Sequence, residues 1–353
     1  MTGPCSSAVL RERGAGTLRV RRHSSPGAFK KLEAEWTDLL SLCRPAHPFY
    51  APFWHALWWK HCGQGEGGEL LLLEVRESGG GLAAVAPLWV DGDGVVRFTG
   101  GEDLTDYADL VASPQRNAAA WRAVLDFLAA PAAPAWRSVE LHALPEDSPT
   151  LAALAGAVGP WAEAWERGVE ERCPAIALPE SWEAYLGTLS GKARHELRRK
   201  VRRANYEAEL LFREAQEETL EEDLETFFRL HALSHAEKER FWNSCTRAFF
   251  RAAARAALER GWLRLTFLLA DGEPVAASFG LVYGGWYYLY NSGFDPARKE
   301  LSTGLVLLAH NIEGAIGAGL AEFDFLRGTE PYKYRFGASD RTTFALTLRR
   351  AGP

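Results

Sequence analysis

The sequence lacks several features that mark common classes of protein. Its 353 residues include only five cysteines, which form neither a CxxC pair nor the Cys/His spacing of a zinc site. We therefore expect neither a disulfide framework nor structural zinc. Acidic residues outnumber basic ones, 46 to 40, and the net charge of −6 excludes an overall positive field for binding nucleic acid.

Long apolar runs and the commoner catalytic motifs are missing as well. No apolar stretch approaches the roughly 20 residues that span a bilayer, and the first residues do not resemble a secretory signal. HExxH, Walker-type and GxSxG motifs are absent, which argues against a zinc protease, an NTPase and a serine hydrolase. His231 and His235 are four residues apart but lack a third ligand, so no metal is expected. We predict a cytoplasmic protein without a membrane span.

The composition is that of a folded chain with room for two domains. Apolar residues make up 47% and charged residues 24% of the sequence. A chain of this length exceeds what one hydrophobic core usually organises. We predict a flexible N-terminus over residues 1–16, a first domain over 17–172, a linker over 173–186 and a second domain over 187–350. The oligomeric state does not follow from the sequence.

The two halves repeat one order of elements. In each half, helices precede a three-strand meander, and a helix, a strand and a closing element follow it. The predicted meanders cover residues 69–76, 82–90 and 95–98, and then 263–270, 275–282 and 286–291. A helix is predicted over 303–317 and a strand over 321–326. This order predicts a duplicated α/β fold, with mixed and mainly antiparallel central sheets flanked by helices.

The second half, from about residue 186 to 337, resembles a known family of enzymes. Residues 190–200, 288–296, 302–304 and 323–333 are similar to the GNAT-like acyltransferase domains of Fem-type peptidyltransferases and of the CelD-type acetyltransferase-like group. In the first half, residues 100–107 with Asp109 look like a segment of the second group. The resemblance implies tandem GNAT-like domains and an N-acyltransferase. It also implies acetyl-CoA or another acyl-CoA as donor, with a small-molecule or cell-envelope-precursor amine as acceptor in the cleft between the domains.

The resemblance also implies where the donor binds. In GNAT proteins the pantetheine arm lies along a central strand, and the pyrophosphate lies on amides at the start of the next helix, where unpaired N–H groups attract phosphate. The corresponding positions here are Leu289, Tyr290, Asn291, Lys299, Ser302, Thr303 and Gly304. In the pattern Gln/Arg-x-x-Gly-x-Gly/Ala, Lys299 stands at the first position and Ser302 at the first glycine. Alternatively, Ser302 simply caps an ordinary helix.

Candidate catalytic residues follow from the chemistry of direct transfer. Amine attack on a thioester requires a base for the amine and a proton donor for the thiolate. No serine or cysteine stands beside an evident base, so we expect no acyl-enzyme. We predict Asp324 as the base or amine-positioning group and Tyr332 as the proton donor. Nearby basic residues are expected to hold an anionic part of donor or acceptor: Arg327, Lys333 and Arg335. Alternatively, Asp324 pairs with Arg327 or Lys333 and fixes the loop.

Asp106 and Tyr107 are predicted to recognise the acceptor. They follow a glycine pair at the end of a predicted strand, where recognition residues are often carried on loops. The alternative is that they seal the interface between the two domains.

A strongly basic helix is predicted over residues 192–204, with seven lysines and arginines around one apolar stripe. It is suited to the phosphates of tRNA, so a Fem-like aminoacyl-tRNA-dependent transferase is the alternative function. We favour a second interpretation, in which the acidic residues between 214 and 225 offset the helix; tRNA is therefore possible as a partner but not favoured. A non-catalytic GNAT-fold binding protein is the third possibility.

Overall fold

The computed structural model describes residues 18–156 and 161–350 of the chain. These residues form thirteen strands and eleven α-helices, with one mixed sheet flanked by helices. The predicted α/β class is confirmed. The predicted flexible residues 1–16, and Thr17 at the start of the predicted first domain, lie outside the described residues.

The first half begins with a strand and two helices whose apolar faces are buried. In α1 (Gly27–Leu40), Phe29, Leu32 and Trp36 are spaced three and four residues apart and are buried together on the sheet. The other elements of this half are β1 (Arg19–His23), α2 (Pro52–His61), β2 (Glu69–Arg76), β3 (Leu82–Val90), β4 (Val95–Phe98), β5 (Val111–Ala112), α3 (Pro114–Ala129), β6 (Ser138–Pro145), α4 (Pro149–Ala155) and β7 (Ala162–Ala177).

The second half repeats this order after two additional helices. Its elements are α5 (Trp182–Thr188), α6 (Gly191–Glu207), β8 (Leu210–Glu214), α7 (Leu220–Ser234), α8 (Ala236–Phe241), α9 (Ser244–Glu259), β9 (Leu263–Ala270), β10 (Glu273–Tyr283), β11 (Trp286–Phe294), α10 (Thr303–Gly317), β12 (Glu322–Asp324), α11 (Pro331–Arg335) and β13 (Ser339–Arg350). The meander of this half, β9 to β11, is antiparallel and packs between α7 and α9 on one side and α10 on the other.

The two halves exchange their closing strands. Within each half one parallel pair forms, β4 with β6 and β11 with β12. The last strand of the first half, β7, then pairs with β12 of the second half. The last strand of the second half, β13, lies between β6 and β7. As a result, the sheets of both halves are continuous, and each half needs a strand from the other.

The prediction of a linker over residues 173–186 is therefore wrong. Most of these residues belong to a strand and a helix. The first of them end β7, where Ala175 and Ile176 are buried between the neighbouring strands, and α5 begins at Trp182. Pro174 suggested a break because proline has no N–H for a ladder hydrogen bond. Its carbonyl, however, accepts a hydrogen bond from the Phe325 amide at 2.9 Å, so the strand passes through it.

A hydrophobic core and one covalent bond join the halves. The ring of Trp54 in α2 packs edge-on against Phe249 in α9, with 4.9 Å between the ring centroids. At the neighbouring helix ends, Cys62 and Cys245 form a disulfide across 183 residues of sequence. The sequence suggested no disulfide framework and did not predict this pair. Its partners are brought together only by the packing of α2 on α9.

Candidate functional site

Strands β11 and β12 run side by side for only a short distance and then separate. They pair in parallel at Trp286 with Glu322, at Tyr287 with Phe323 and at Tyr288 with Asp324. Beyond this point β11 continues, paired with β10, whereas the chain after β12 turns away. Leu326 has a φ of 55°, a left-handed conformation that is incompatible with a continuing strand. The separation leaves a gap beside the second half of β11.

On the α10 side of the gap lies a cavity of about 360 Å³, here called the helix cavity. Its apolar walls include Phe294, Leu307 and Phe336. Three cationic side chains line it as well: Lys200, Lys299 and Arg335. Lys200 also forms an ion pair with Glu196 at 3.2 Å. The cavity therefore combines an apolar slot with a positively charged rim.

The start of α10 has the geometry of an anion site. Ser302 stands where the GNAT pattern has a glycine, and its φ of 53° is the left-handed conformation that favours glycine. The first N–H groups of a helix have no intrahelical acceptor and attract negative charge. The hydroxyl of Thr303 lines the same cavity, is buried, and has no hydrogen-bond partner among the described residues. A polar ligand at this helix terminus would satisfy it.

A second cavity of about 220 Å³, here called the cleft cavity, lies on the other side of the gap. Its walls come from the first half, from α8, from β11 and from the loop between β12 and α11. Leu289, Ser292 and Tyr332 line both cavities. The two cavities therefore meet where β11 and β12 separate.

The predicted donor residues divide between the two cavities. The helix cavity is lined by Leu289 and by those residues from Lys299 to Gly304 that were predicted to bind the cofactor. Tyr290 and Asn291 line the cleft cavity instead. The Tyr290 hydroxyl donates a hydrogen bond to the Leu104 carbonyl at 2.7 Å, and the Asn291 side-chain oxygen lies 3.2 Å from a ring nitrogen of His231. Both side chains thus brace the cleft wall rather than the slot of the helix cavity.

Of the two predicted catalytic residues, Tyr332 lies at the junction and Asp324 does not. Asp324 has no exposed surface and lines neither cavity. Its carboxylate accepts hydrogen bonds from the Tyr107 hydroxyl at 2.9 Å and from the Leu326 amide at 2.7 Å. Burial raises its pKa to about 7. The prediction that Asp324 contacts the amine is therefore not supported by its position, and its partners also differ from the predicted Arg327 and Lys333.

The predicted anion-binding residues Arg327 and Lys333 are occupied by the protein itself. Arg327 pairs with Asp106 and donates to the carbonyls of Glu102 and Thr105, which ties the loop after β12 to the first half. The ammonium of Lys333 donates to three carbonyls of that same loop, at 2.8 to 3.3 Å. Arg335, by contrast, remains exposed on the helix cavity.

Tyr107 belongs to a buried cluster between the halves that the sequence did not reveal. His47 stacks on Tyr107 with 4.1 Å between the ring centroids, and its Nδ1 lies 3.2 Å from the Tyr288 hydroxyl. Burial lowers the pKa of His47 to about 3, so the ring is neutral. Arg341 pairs with Glu322 beside this cluster. Tyr107 thus seals the interface, as the alternative interpretation held, while Asp106 reaches the cleft cavity.

The acidic segment does not offset the basic helix, contrary to the interpretation favoured from the sequence. Glu221 and Glu225 form ion pairs with Arg251 of α9, and Asp223 pairs with Arg213 of β8. The segment folds against α9 on the far side of the sheet from α6. The acidic partners of α6 that the described residues provide are Glu183, Glu196 and Glu207.

Comparisons with known proteins identify a matching domain family. Residues 191–334 match the family of acetyltransferase (GNAT) domains, and no curated protein matches the chain. No helix in the described parts of the chain has both the length and the apolar character needed to cross a membrane.

Three solved structures have a similar fold at low sequence identity. The structure of FemX has a TM-score of 0.62 and 11% identity, covering 89% of this chain and 95% of its own. The C-terminal domain of a proposed lysylphosphatidylglycerol synthetase from Agrobacterium fabrum has a TM-score of 0.58 and 12% identity, covering 90% and 92%. A tandem GNAT protein from the clavulanic acid biosynthesis pathway has a TM-score of 0.51 and 16% identity, covering 96% and 99%. The predicted tandem GNAT-like fold is confirmed.

Proposed function

We propose that this chain, which carries a GNAT acetyltransferase domain over residues 191–334, is an N-acyltransferase that takes its acyl group from acetyl-CoA or another acyl-CoA. The observation that carries the proposal is the junction of the two cavities at Leu289, Ser292 and Tyr332. A thioester in the helix cavity and an amine in the cleft cavity would reach this junction from opposite ends. Direct transfer requires that kind of approach.

The helix cavity suits the parts of coenzyme A. Its apolar slot beside β11 fits the pantetheine arm, and the start of α10 with Lys299 and Arg335 fits the pyrophosphate. Ser302 already has the left-handed backbone of the glycine that it replaces, so the substitution leaves the path of the phosphate loop intact. This conformation supports a donor site more than it supports a simple helix cap.

The reaction follows from one group at the junction and one in the cleft cavity. The acceptor nitrogen attacks the thioester carbonyl, the C–N bond forms, and the C–S bond breaks with release of the CoA thiolate. Burial raises the pKa of Tyr332 above its ordinary value, so its phenol keeps a proton to donate to the thiolate. The exposed carboxylate of Asp103, which lines the cleft cavity, takes the proton from the amine. Asp324 acts only by positioning the loop after β12.

The test is a thermal-shift titration of the whole chain with acetyl-CoA and CoA. A ligand at about 100 times its Kd stabilises the native state by about 2.7 kcal/mol, which gives a clear rise in Tm. We expect this rise for the wild type and a weaker one for Lys299→Glu, which places a negative charge at the phosphate loop. Lys31→Glu, on the exposed side of α1, is the matched control and should behave as wild type. No stabilisation by either ligand at millimolar concentration would contradict the proposal.

A second candidate, a Fem-like aminoacyl-tRNA-dependent transferase, is favoured by the surface of α6. Lys192, Arg199 and Arg202 are exposed on this helix and have no carboxylate partner among the described residues. Such a strip suits a polyanion. Binding of bulk tRNA that weakens steeply with salt, and that the double variant Arg199→Glu, Arg202→Glu loses, would support this candidate over CoA. A chain that binds neither ligand would be a GNAT-fold binding protein without this activity.

A further inference from the structure

The cleft cavity contains more charge than the protein neutralises internally. Six charged side chains line it: Asp103, Asp106, Lys238, Arg327, Glu330 and Lys333. Arg327 pairs with Asp106, and Lys333 pairs with Glu330 at 3.0 Å. Among the described residues, Asp103 and Lys238 form no ion pair, although the charge of Glu330, which pairs with Lys333, also acts on Lys238. The cavity therefore offers one uncommitted negative group and one uncommitted positive group to a ligand.

The ammonium of Lys238 lies close to the junction of the two cavities. It donates one hydrogen bond, 2.7 Å long, to the carbonyl of Ser292, which lines both cavities. A lysine ammonium has three N–H donors, so two remain for a ligand. The side chain is half-buried, and burial lowers the pKa of Lys238. The charge of Glu330 opposes this shift, and the charge of Lys333 adds to it. A partly buried cation that forms no ion pair is costly, and an anionic group on the ligand would relieve that cost.

The size of the cleft cavity limits the ligand. Its volume of about 220 Å³ is below the range of about 300–1,000 Å³ that is typical of sites for drug-sized molecules. The exposed carboxylate of Asp103 belongs to the first half of the chain, whereas Lys238 belongs to α8 of the second. A ligand that engages both must carry opposite charges on one small skeleton.

We propose that the acceptor is a small amino acid-like molecule, whose carboxylate binds Lys238 while its ammonium group is directed to Asp103 before it is deprotonated and acylated. The inference rests on the proposed function, because it names the acceptor class of that same site. Lys238 is a positioning residue in this scheme, since it holds a part of the acceptor that does not react.

The experiment compares amino acids with their decarboxylated counterparts. L-lysine and cadaverine, L-ornithine and putrescine, and L-tyrosine and tyramine form matched pairs that differ only in the carboxylate. Binding to the whole chain is measured by calorimetry with CoA present, and transfer is measured as thiol release from acetyl-CoA. A hydrogen bond to a charged group contributes about 1.5–3 kcal/mol, so at least one amino acid should bind about 10- to 100-fold more tightly than its amine.

The variant Lys238→Gln tests the assigned contact. We expect it to remove the preference for the amino acid and to leave binding of the decarboxylated amine unchanged. Lys238→Arg should restore the preference. Lys31→Gln is the surface control. Three results would overturn the inference: no member of the panel binds, amines bind as well as amino acids, or Lys238→Gln weakens both equally. If amino acids bind but CoA does not bind and no acyl group is transferred, the result supports the amino acid site and contradicts the proposed function.

Discussion

Asp324 shows how burial changes the role of an acidic side chain. In the folded state its pKa is about 7, because burial disfavours the charge, whereas its ordinary value is 3.8. The stabilisation that the proton provides is present below about pH 4 and is lost as the pH rises through 7. A shift of this size corresponds to a loss on the order of 4 kcal/mol.

Asp324→Asn should remove this pH dependence, because an amide does not titrate. Its oxygen can still accept from the Leu326 amide, while its NH2 group donates to the Tyr107 hydroxyl. Urea denaturation at pH 4, 6 and 8 is the measurement. The free energy of unfolding of the variant, relative to wild type, should rise across this range. Turnover should stay within a few-fold of wild type, because the carboxylate reaches neither cavity. A variant that folds and binds CoA but has lost turnover would show that Asp324 takes part in the chemistry.

Tyr332 is the predicted catalytic residue that lies at the junction of the cavities. Tyr332→Phe keeps the ring and removes the proton donor, so kcat should fall by about 10²- to 10⁴-fold while the Kd of CoA stays near its wild-type value. Tyr334→Phe is a matched control, because Tyr334 lies on the same helix, is 39% exposed, and donates only to Asp340. Equal rates for the two variants would exclude the phenol as the donor.

At the scale of the element, the start of α10 depends on the backbone of Ser302. A side chain at a φ of 53° is strained, and β-branched residues tolerate this conformation worst. Ser302→Val should lower the free energy of unfolding by about 1–2 kcal/mol and weaken CoA binding, because the first amides of the helix are displaced. Ser302→Gly should preserve both properties. Urea denaturation and calorimetry with CoA measure the two effects, and a fully stable Ser302→Val that binds CoA normally would contradict the assigned loop.

Elements with strong periodicity could be predicted from the sequence, including most of their ends. The helix predicted over 303–317 and all six meander strands are present, because apolar spacing and glycine turns define them locally. The predicted strand over 321–326 is shorter, since Leu326 turns into a left-handed conformation that no local pattern requires. Within the site, the resemblance to GNAT proteins indicated the loop at residues 299–304 and the segment that contains Tyr332, and their roles stay predictions. Lys238 was missed because its position depends on how α8 packs against β11.

At the scale of the whole molecule, charge and covalent pairing follow tertiary contacts rather than sequence neighbours. The acidic segment beside α6 in sequence pairs with α9 instead, which leaves the strip on α6 open. Cys62 meets Cys245 because α2 packs against α9. The disulfide crosses the boundary between the halves, whereas the acidic segment and α9 both lie in the second half. A prediction made from one half at a time therefore cannot anticipate the disulfide, and local charge balance alone cannot anticipate the pairing of the acidic segment with α9.

The exchange of strands predicts that neither half folds alone. In a fragment of residues 187–353, β13 would lose β6 and β7, its two neighbours, and β12 would lose β7. Unpaired strand edges of this length are aggregation sites. We expect this fragment to aggregate or to unfold without a cooperative transition, and the full chain to melt in one transition by circular dichroism. Co-expression of residues 1–186 should rescue the fragment as a complex. A soluble, cooperatively melting fragment would mean that β13 contributes little to the stability of the second half.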